Sequence, residues 1–435
     1  MTAPPIALAD PGFAESNGLP RFPSHEWDAL GLIFKRKVFQ RIWIIQELAL
    51  ARDVEMMCGS HAMSFIDLAL ASRIIVDRGW FRFFIKEYGE DCRPNFAANH
   101  FNRQLLISSG KQQSLLFLLG VTRRFQATHP VDKIYGLLGL SQVKGQQLDA
   151  TPLTPALIPD YTKSTEEVYR DITFHLMVSE NSLDLLSTVE DKSVRKLKQL
   201  PSWVPDYSTW QNITILGLNQ GIPYIASGNS PVSITRSGRS NETLHTKAIR
   251  LDNIGSVSRP WLAEDHYFNI FHDWCEFLNQ QLILTNQLNL VKSNRAIARA
   301  LIGDFAVTSA QYPAPEDEYF KHFLSFLQHH FQMSGPDMNE SQFGGDYSIY
   351  LESFHHFGFG RRAFISKEGR IGFGHISVQE GDGIYLLSGG RTPFILRPVA
   401  DGESFEFLGE SYLHGVMNGE AVPSDETKWT TIDIV

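Results

Sequence analysis

Cysteine is scarce in this chain: Cys58, Cys92 and Cys275 are three in number and far apart. Such a set builds neither a disulfide framework nor a paired-thiol zinc motif, and it fits a reducing compartment. Long apolar runs are lacking as well. The longest, Leu115-Leu-Phe-Leu-Leu119, falls far short of the roughly 20 residues that a membrane-spanning helix needs. The opening Met1-Thr-Ala-Pro-Pro-Ile-Ala-Leu-Ala has no basic segment and is broken by prolines, unlike a secretory signal. Nor is positive charge in surplus: 39 Lys and Arg stand against 48 Asp and Glu, a net charge of -9. That balance argues against a general binder of nucleic acid or anionic membranes. A cytoplasmic protein with neither kind of partner is expected.

What is present is material for a folded body. The 435 residues are 43% hydrophobic and 12% aromatic, with 30 phenylalanines, so two or three domains with ample cores are expected. Residues 1–25 are Pro- and Gly-rich and read as a flexible tail. Residues 26–210 read as a helical body. A helical period covers Trp27 to Ala51, with Val38, Ile42, Ile45 and Ala49 on one face. Further helices are predicted from Ile66 to Val76, entered at Ser64, from Ser114 to Phe125, and from Ser164 toward Ser179. The last carries a capping-box pattern, Ser164-Thr-Glu-Glu167, and a Val168, Ile172, His175, Leu176 stripe.

Residues 211–358 read as a mixed middle region. Ile213 to Val257 is rich in Gly, Ser, Thr and β-branched residues, which predicts short strands. Helical patterns follow from Glu264 to Ala306 and from Glu318 to Phe331, then a polar surface loop from Ser334 to Tyr347. Residues 359–435 alternate short apolar runs with Gly, Asp or Pro and predict a small antiparallel β-module. The fold class is therefore α+β: a mostly helical body with an inserted β region, then the C-terminal module.

Few side chains invite chemistry. Gly358-Phe-Gly-Arg-Arg-Ala363 matches a dinucleotide fingerprint in letters, but a strand-like Phe364-Ile-Ser follows where the fingerprint needs a helix. His322, His329, His330, His355 and His356 lack zinc-ligand spacing, and no cofactor or metal is expected. There is no Walker A pattern and no nucleophile elbow. The sharpest polar feature is Trp43-Ile-Ile-Gln-Glu47. Trp43 and Glu47 are spaced i,i+4 on one surface, and Glu47, between Ile45 and Leu48, must reach solvent or a partner such as Arg41 or Arg52. A buried ion pair is favoured there over a catalytic carboxylate. Asp132 precedes Ile134-Tyr-Gly-Leu-Leu-Gly-Leu140 and reads as a helix cap or salt-bridge partner. Pro201-Ser-Trp-Val-Pro-Asp-Tyr207 reads as a rigid clamp on a core. Trp43, Gln46, Glu47 and Asp132 are the candidate binding residues, and Glu47 the candidate catalytic one.

Four blocks occur in one order: Phe39-Gln-Arg-Ile-Trp-Ile-Ile-Gln-Glu-Leu-Ala-Leu-Ala51, Asp132-Lys-Ile-Tyr-Gly-Leu-Leu-Gly-Leu140, Leu200-Pro-Ser-Trp-Val-Pro-Asp-Tyr-Ser208 and Gly381-Asp-Gly-Ile-Tyr-Leu-Leu-Ser-Gly-Gly390. Together they resemble the heterokaryon-incompatibility (HET) family of filamentous fungi, as do Ile158-Pro-Asp-Tyr161 and Leu408-Gly-Glu-Ser-Tyr-Leu-His-Gly-Val-Met-Asn-Gly-Glu420. Arg41, Trp43, Gln46 and Glu47 look like the closing block of the HET domain. Thr128, Pro130, Asp132 and Lys133 match a second family element, from which His129 and Val131 depart.

The resemblance implies a role in vegetative incompatibility, in which fusion of unlike individuals kills the mixed cell, through contacts with other incompatibility or signalling proteins. It implies a HET domain similar to the TIR signalling fold, whose opening Tyr-x-x-Leu-Ser-Tyr-x-Trp-Gly segment has no counterpart before Trp27. A truncated gene model or a shortened paralogue without the effector is therefore expected, and a non-enzymatic protein. Two alternatives stand beside it: a nucleotide-cleaving TIR-like enzyme using Glu47, and an accessory protein of a secondary-metabolite gene cluster.

Overall fold

The computed structural model describes residues 18–21, 23–78, 80, 84, 87–88, 113–142, 155–211, 213–218, 223–238, 241–284, 290–331 and 344–435. They fall into two compact units, Met1–Thr165 and Glu166–Val435. Most of the expected tail and of the Ser334–Tyr347 loop lies outside the described residues.

The N-terminal unit contains α1 (His25–Phe34), α2 (Trp43–Leu50), a hairpin of β1 (Glu55–Cys58) and β2 (His61–Ser64), and α3 (Phe65–Asp77). Ser64 caps α3 as expected, its hydroxyl accepting from the Ile66 amide at 3.1 Å. One apolar core holds these elements together, with Trp27, Phe34, Phe39, Leu48, Phe65 and Leu68 all nearly inaccessible. A short parallel pair, β3 (Gln113–Ser114) and β4 (Ser141–Gln142), brackets α4 (Leu115–Val121) and α5 (Asp132–Leu138).

The continuous helix expected from Trp27 to Ala51 is instead two helices. Lys35, Arg36 and Lys37 crowd like charge after α1, and Arg41 turns extended to pair with Gln126. Ile42 donates to the Gln126 carbonyl at 2.8 Å and Gln126 to the Gln40 carbonyl at 2.5 Å. Two cross-chain backbone bonds thus replace local helical ones, and Ile42 is fully buried beside them.

The C-terminal unit starts with α6 (Thr165–Ser179), whose Val168, Ile172 and Leu176 are buried as the stripe required. Its centre is a closed five-stranded barrel. The ring runs β6 (Thr243–Pro260), β13 (Thr430–Ile434), β11 (Ser404–Glu410), β10 (Phe394–Pro398), β9 (Gly383–Leu387) and back to β6. Ile384, Leu386, Ile395 and Leu408 belong to its apolar interior.

Of the sandwich or barrel that a small antiparallel C-terminal module would form, the chain builds a barrel, but neither purely antiparallel nor confined to residues 359–435. β11 and β13 pair in parallel, and the closing strand, 18 residues long, comes from the middle region. A strand exposing backbone groups on both edges needs partners on both. β6 serves β13, β5 (Ile234–Ser237) and β9 along its first part and β7 (Arg361–Ser366) along its last. From β7 the sheet continues through β8 (Ile371–His375) to β12 (Tyr412–Leu413). Four helices, α7 (Tyr267–Leu284), α8 (Leu290–Ala300), α9 (Glu316–Phe331) and α10 (Tyr347–Gly358), share an aromatic core with β7 and β8. Trp261 stacks on Phe354 at 4.9 Å, and the Trp274 indole donates to the Arg259 carbonyl at 2.9 Å.

Gly358 ends a helix and Arg361 begins a strand, the reverse of the order a dinucleotide fingerprint requires.

Candidate functional site

Two of the four residues singled out in the N-terminal unit, Trp43 and Asp132, come together at the start of α5, and Gln46 packs at its other end. Asp132 occupies the first turn of that helix and is 7% exposed. It neither caps the helix nor forms a salt bridge among the described residues. Its carboxylate accepts from the Trp43 indole at 3.1 Å and from the Tyr161 hydroxyl at 2.9 Å. Two neutral donors, from positions 89 residues before and 29 after, satisfy it instead. Burial and the neighbouring Asp132 carboxylate push the Tyr161 hydroxyl above its ordinary range.

Tyr135 completes the arrangement. Its ring meets Tyr161 edge-on at 5.3 Å, and its hydroxyl donates to the Asp160 carbonyl at 3.0 Å while accepting from the Asp160 amide. Gln46 lies against the other end of α5: a Cβ at Gly139 would come within 2.4 Å of its amide nitrogen. Lys133, 4% exposed, donates to the carbonyls of Arg123 at 2.8 Å and of Phe125. These carbonyls follow the end of α4, where a cation is favoured by the helix dipole.

Glu47 does not join this cluster. It is exposed, among the described residues no ion pair reaches it, and Arg52 faces Asp53 at 3.9 Å instead. Of the two fates open to this carboxylate, it takes solvent, and the favoured buried ion pair is not formed. Tyr161 lies in the Ile158-Pro-Asp-Tyr161 block, where nothing local marks a tyrosine as the donor to a carboxylate 29 residues away.

The C-terminal unit buries several charged groups. Arg361 opens β7 and Glu410 closes β11, and their side chains are 0% and 1% exposed at a separation of 3.1 Å. Glu410 also accepts the amides of Leu216 at 2.7 Å and Gly217 at 3.0 Å. Arg361 donates to the carbonyls of Phe357 at 2.7 Å and Thr214 at 2.5 Å. Burial raises the Glu410 carboxyl, opposed by the Arg361 charge and the two amides. The pair ties the chain around residues 214–217 to the barrel. Phe405-Glu-Phe-Leu-Gly-Glu410 carries two glutamates, and nothing local marks Glu410 rather than the half-buried Glu406 as the one that is buried and paired.

A second buried carboxylate, Asp191, accepts the Ser377 amide at 2.7 Å, its hydroxyl at 2.5 Å and the Ser193 amide at 2.8 Å. Burial would raise this group, but His375 and the serine donors hold it below its ordinary value. Burial pushes His375 itself down to about 4. The imidazole stands over Gly409, whose φ of +126° and lack of a side chain make room for the ring. Its Nδ1 has no partner among the described residues.

The other candidates resolve into packing. The His322 ring accepts from the Asp346 amide at 2.8 Å, and His329 stacks on Tyr347 at 3.8 Å. No group of His, Cys, Asp or Glu suited to a metal ion occurs among the described residues. The 201–207 clamp is built as expected: Trp203 and Tyr207 are at most 1% exposed, and the Trp203 indole donates to the Glu242 carbonyl at 2.7 Å. An open cleft of about 780 Å³ lies beside it, lined by Lys192, Leu200, Pro201, Glu242, Pro398 and Glu406. Lys192 and Glu406 pair across it at 3.2 Å. No helix among the described residues is long and apolar enough to cross a membrane.

Residues 316–429, covering α9, α10 and three of the five barrel strands, match the Het-6 beta-barrel domain family. The chain is 23% identical over 471 aligned residues to heterokaryon incompatibility protein 6, OR allele, of Neurospora crassa. That alignment covers 90% of this chain and 65% of the relative, so the chain spans less than two thirds of that protein's length. No solved structure matches. Barrel and relative concur with the four ordered blocks: residues 316–429 carry the match to the Het-6 beta-barrel domain, and the chain as a whole is similar to a fungal heterokaryon incompatibility protein.

Proposed function

We propose that this protein acts in vegetative incompatibility, in non-self recognition or the control of cell death, through contacts with other cytoplasmic proteins. The observation that carries the reading is the similarity to an incompatibility protein along 90% of the chain, with the barrel domain inside it. The polar groups support it by their use. Asp132, Glu410 and Asp191 are buried and taken up by donors of the fold, which suits a rigid presenting body. Glu47, the carboxylate that a nucleotide-cleaving reading would need, stands exposed outside the Asp132 cluster.

The test is expression of the intact chain in a compatible fungal host, alone and with a HET-dependent death response running. Death or suppression of that response is expected. A host whose growth and response are both unchanged would remove the proposal.

A further inference from the structure

The hairpin of the N-terminal unit gathers soft donor atoms on one face. Gly59-Ser60 joins β1 to β2, and Gly59 takes a φ of +63°, the left-handed conformation that a two-residue turn between antiparallel strands demands. The turn fixes the register: Cys58 stands opposite His61, and Met56 opposite Met63. Side chains two apart on a strand share a face, so Met56, Cys58, His61 and Met63 lie together on one side of the hairpin. Glu55, Met57, Ala62 and Ser64 take the other side. Opposed Cβ atoms are about 5 Å apart and same-strand neighbours about 7 Å, so the donor atoms beyond them reach the centre of that rectangle.

The surroundings suit a bound ion. Met56 is half-buried against the apolar core of the N-terminal unit, while Cys58, His61 and Met63 are exposed. The face therefore has a packed floor at one end and an open entry at the other. Cys58 is a free thiol, reached by Arg36 Nη2 at 3.8 Å. Sulfur is a weak acceptor, so that contact yields to a metal–thiolate bond. Softness then selects the metal. Thioether and thiolate sulfur favour copper(I), and imidazole suits it. Zinc takes thiolate, imidazole and carboxylate, of which this face offers only two groups. Calcium and magnesium need oxygen ligands, which the four side chains lack. The zinc-type spacing sought along the sequence does not describe such a set, whereas the cross-strand register assembles it.

We propose that the β1–β2 hairpin is a copper(I) site, ligated by Cys58 Sγ, the Met56 and Met63 thioethers and a ring nitrogen of His61. Binding releases the thiol proton to solvent and leaves the copper in its reduced state, so no oxidant or reductant enters the step. This goes beyond the incompatibility role and does not depend on it.

Anaerobic titration of the full chain with copper(I), in competition with bathocuproine disulfonate, should show a single ion bound per chain and a thiolate-to-copper absorption in the ultraviolet. Loss of an outer-shell partner already costs a metal site about 10–100-fold in affinity. Cys58→Ser should therefore weaken binding about a hundredfold, and His61→Gln or Met63→Leu about tenfold each. These three side chains are exposed, so circular dichroism of the variants should match the parent. Zinc in about tenfold excess should not displace the copper. A chain that binds no copper(I), or binding indifferent to Cys58→Ser, overturns the proposal. Binding lost in Cys58→Ser but at the parent level in both His61→Gln and Met63→Leu marks an adventitious thiol and overturns it as well. Displacement by zinc overturns the assignment of the metal.

Discussion

Replacing Glu410 by Gln removes one charge from the interior of the C-terminal unit and little volume. Arg361 stays behind at 0% exposure, with its Nε already lacking a partner among the described residues. Two carbonyls, of Phe357 and Thr214, remain to it, and neither is an anion. Breaking a buried pair from one side costs about 3–5 kcal/mol, because the surviving charge is left desolvated and uncompensated. Glutamine keeps one oxygen for the Leu216 and Gly217 amides, so a loss near the lower end, about 3 kcal/mol, is expected. At about 2–4 °C per kcal/mol for a unit of this size, that lowers the melting temperature by about 10 °C.

Urea unfolding followed by tryptophan fluorescence reads this directly, since Trp203, Trp261 and Trp274 are buried in the same unit. Arg361→Met should cost a similar amount, and the double variant less than the sum, because it leaves no lone charge. It should still fall below the parent, because glutamine keeps only one acceptor oxygen for the Leu216 and Gly217 amides and methionine leaves the Phe357 and Thr214 carbonyls without their donor. A Glu410→Gln protein within about 1 kcal/mol of the parent, or strictly additive variants, would refute the reasoning.

Three further outcomes are expected. Asp132→Ala should cost the N-terminal unit about 1–3 kcal/mol in urea unfolding, since the Trp43 indole and Tyr161 hydroxyl lose their shared acceptor; an unchanged midpoint would contradict the assigned hydrogen bonds. Glu47→Gln should leave stability within about 0.5 kcal/mol and nucleotide turnover at the parent level; loss of a measurable turnover would revive a catalytic role. Burial pushes His375 and His414 down to about 4 from an ordinary 6.5, so both are neutral in the fold while the unfolded chain takes up protons first. Stability from these groups is therefore complete above about pH 6.5 and declines as pH falls toward 4. Melting curves between about pH 8 and 5 should show that decline and His414→Asn should lessen it, whereas a flat profile would exclude it.

What the chain of letters determined by itself was local. Ser64 followed by an apolar period predicted a capped helix, and α3 is one. Short apolar runs between glycines predicted the strands that became β7, β9, β10 and β11. An indole held between prolines predicted a buried clamp, and Trp203 fills that place. Each of these outcomes depends on backbone preference and periodicity within a dozen residues, which sequence records directly.

Tertiary structure alone decided who partners whom. It broke the expected 27–51 helix by pairing Arg41 with Gln126, and it brought β6 from the middle region to close the barrel. It delivered Trp43 and Tyr161 to Asp132, and Glu410 to Arg361, 49 positions away. It also left Glu47 in solvent although its neighbours Ile45 and Leu48 are buried. A buried charge must find compensation, but the requirement names no particular residue. Only the packed tertiary structure brings the compensating group to about 3 Å, and that distance decides which polar residues hold the fold.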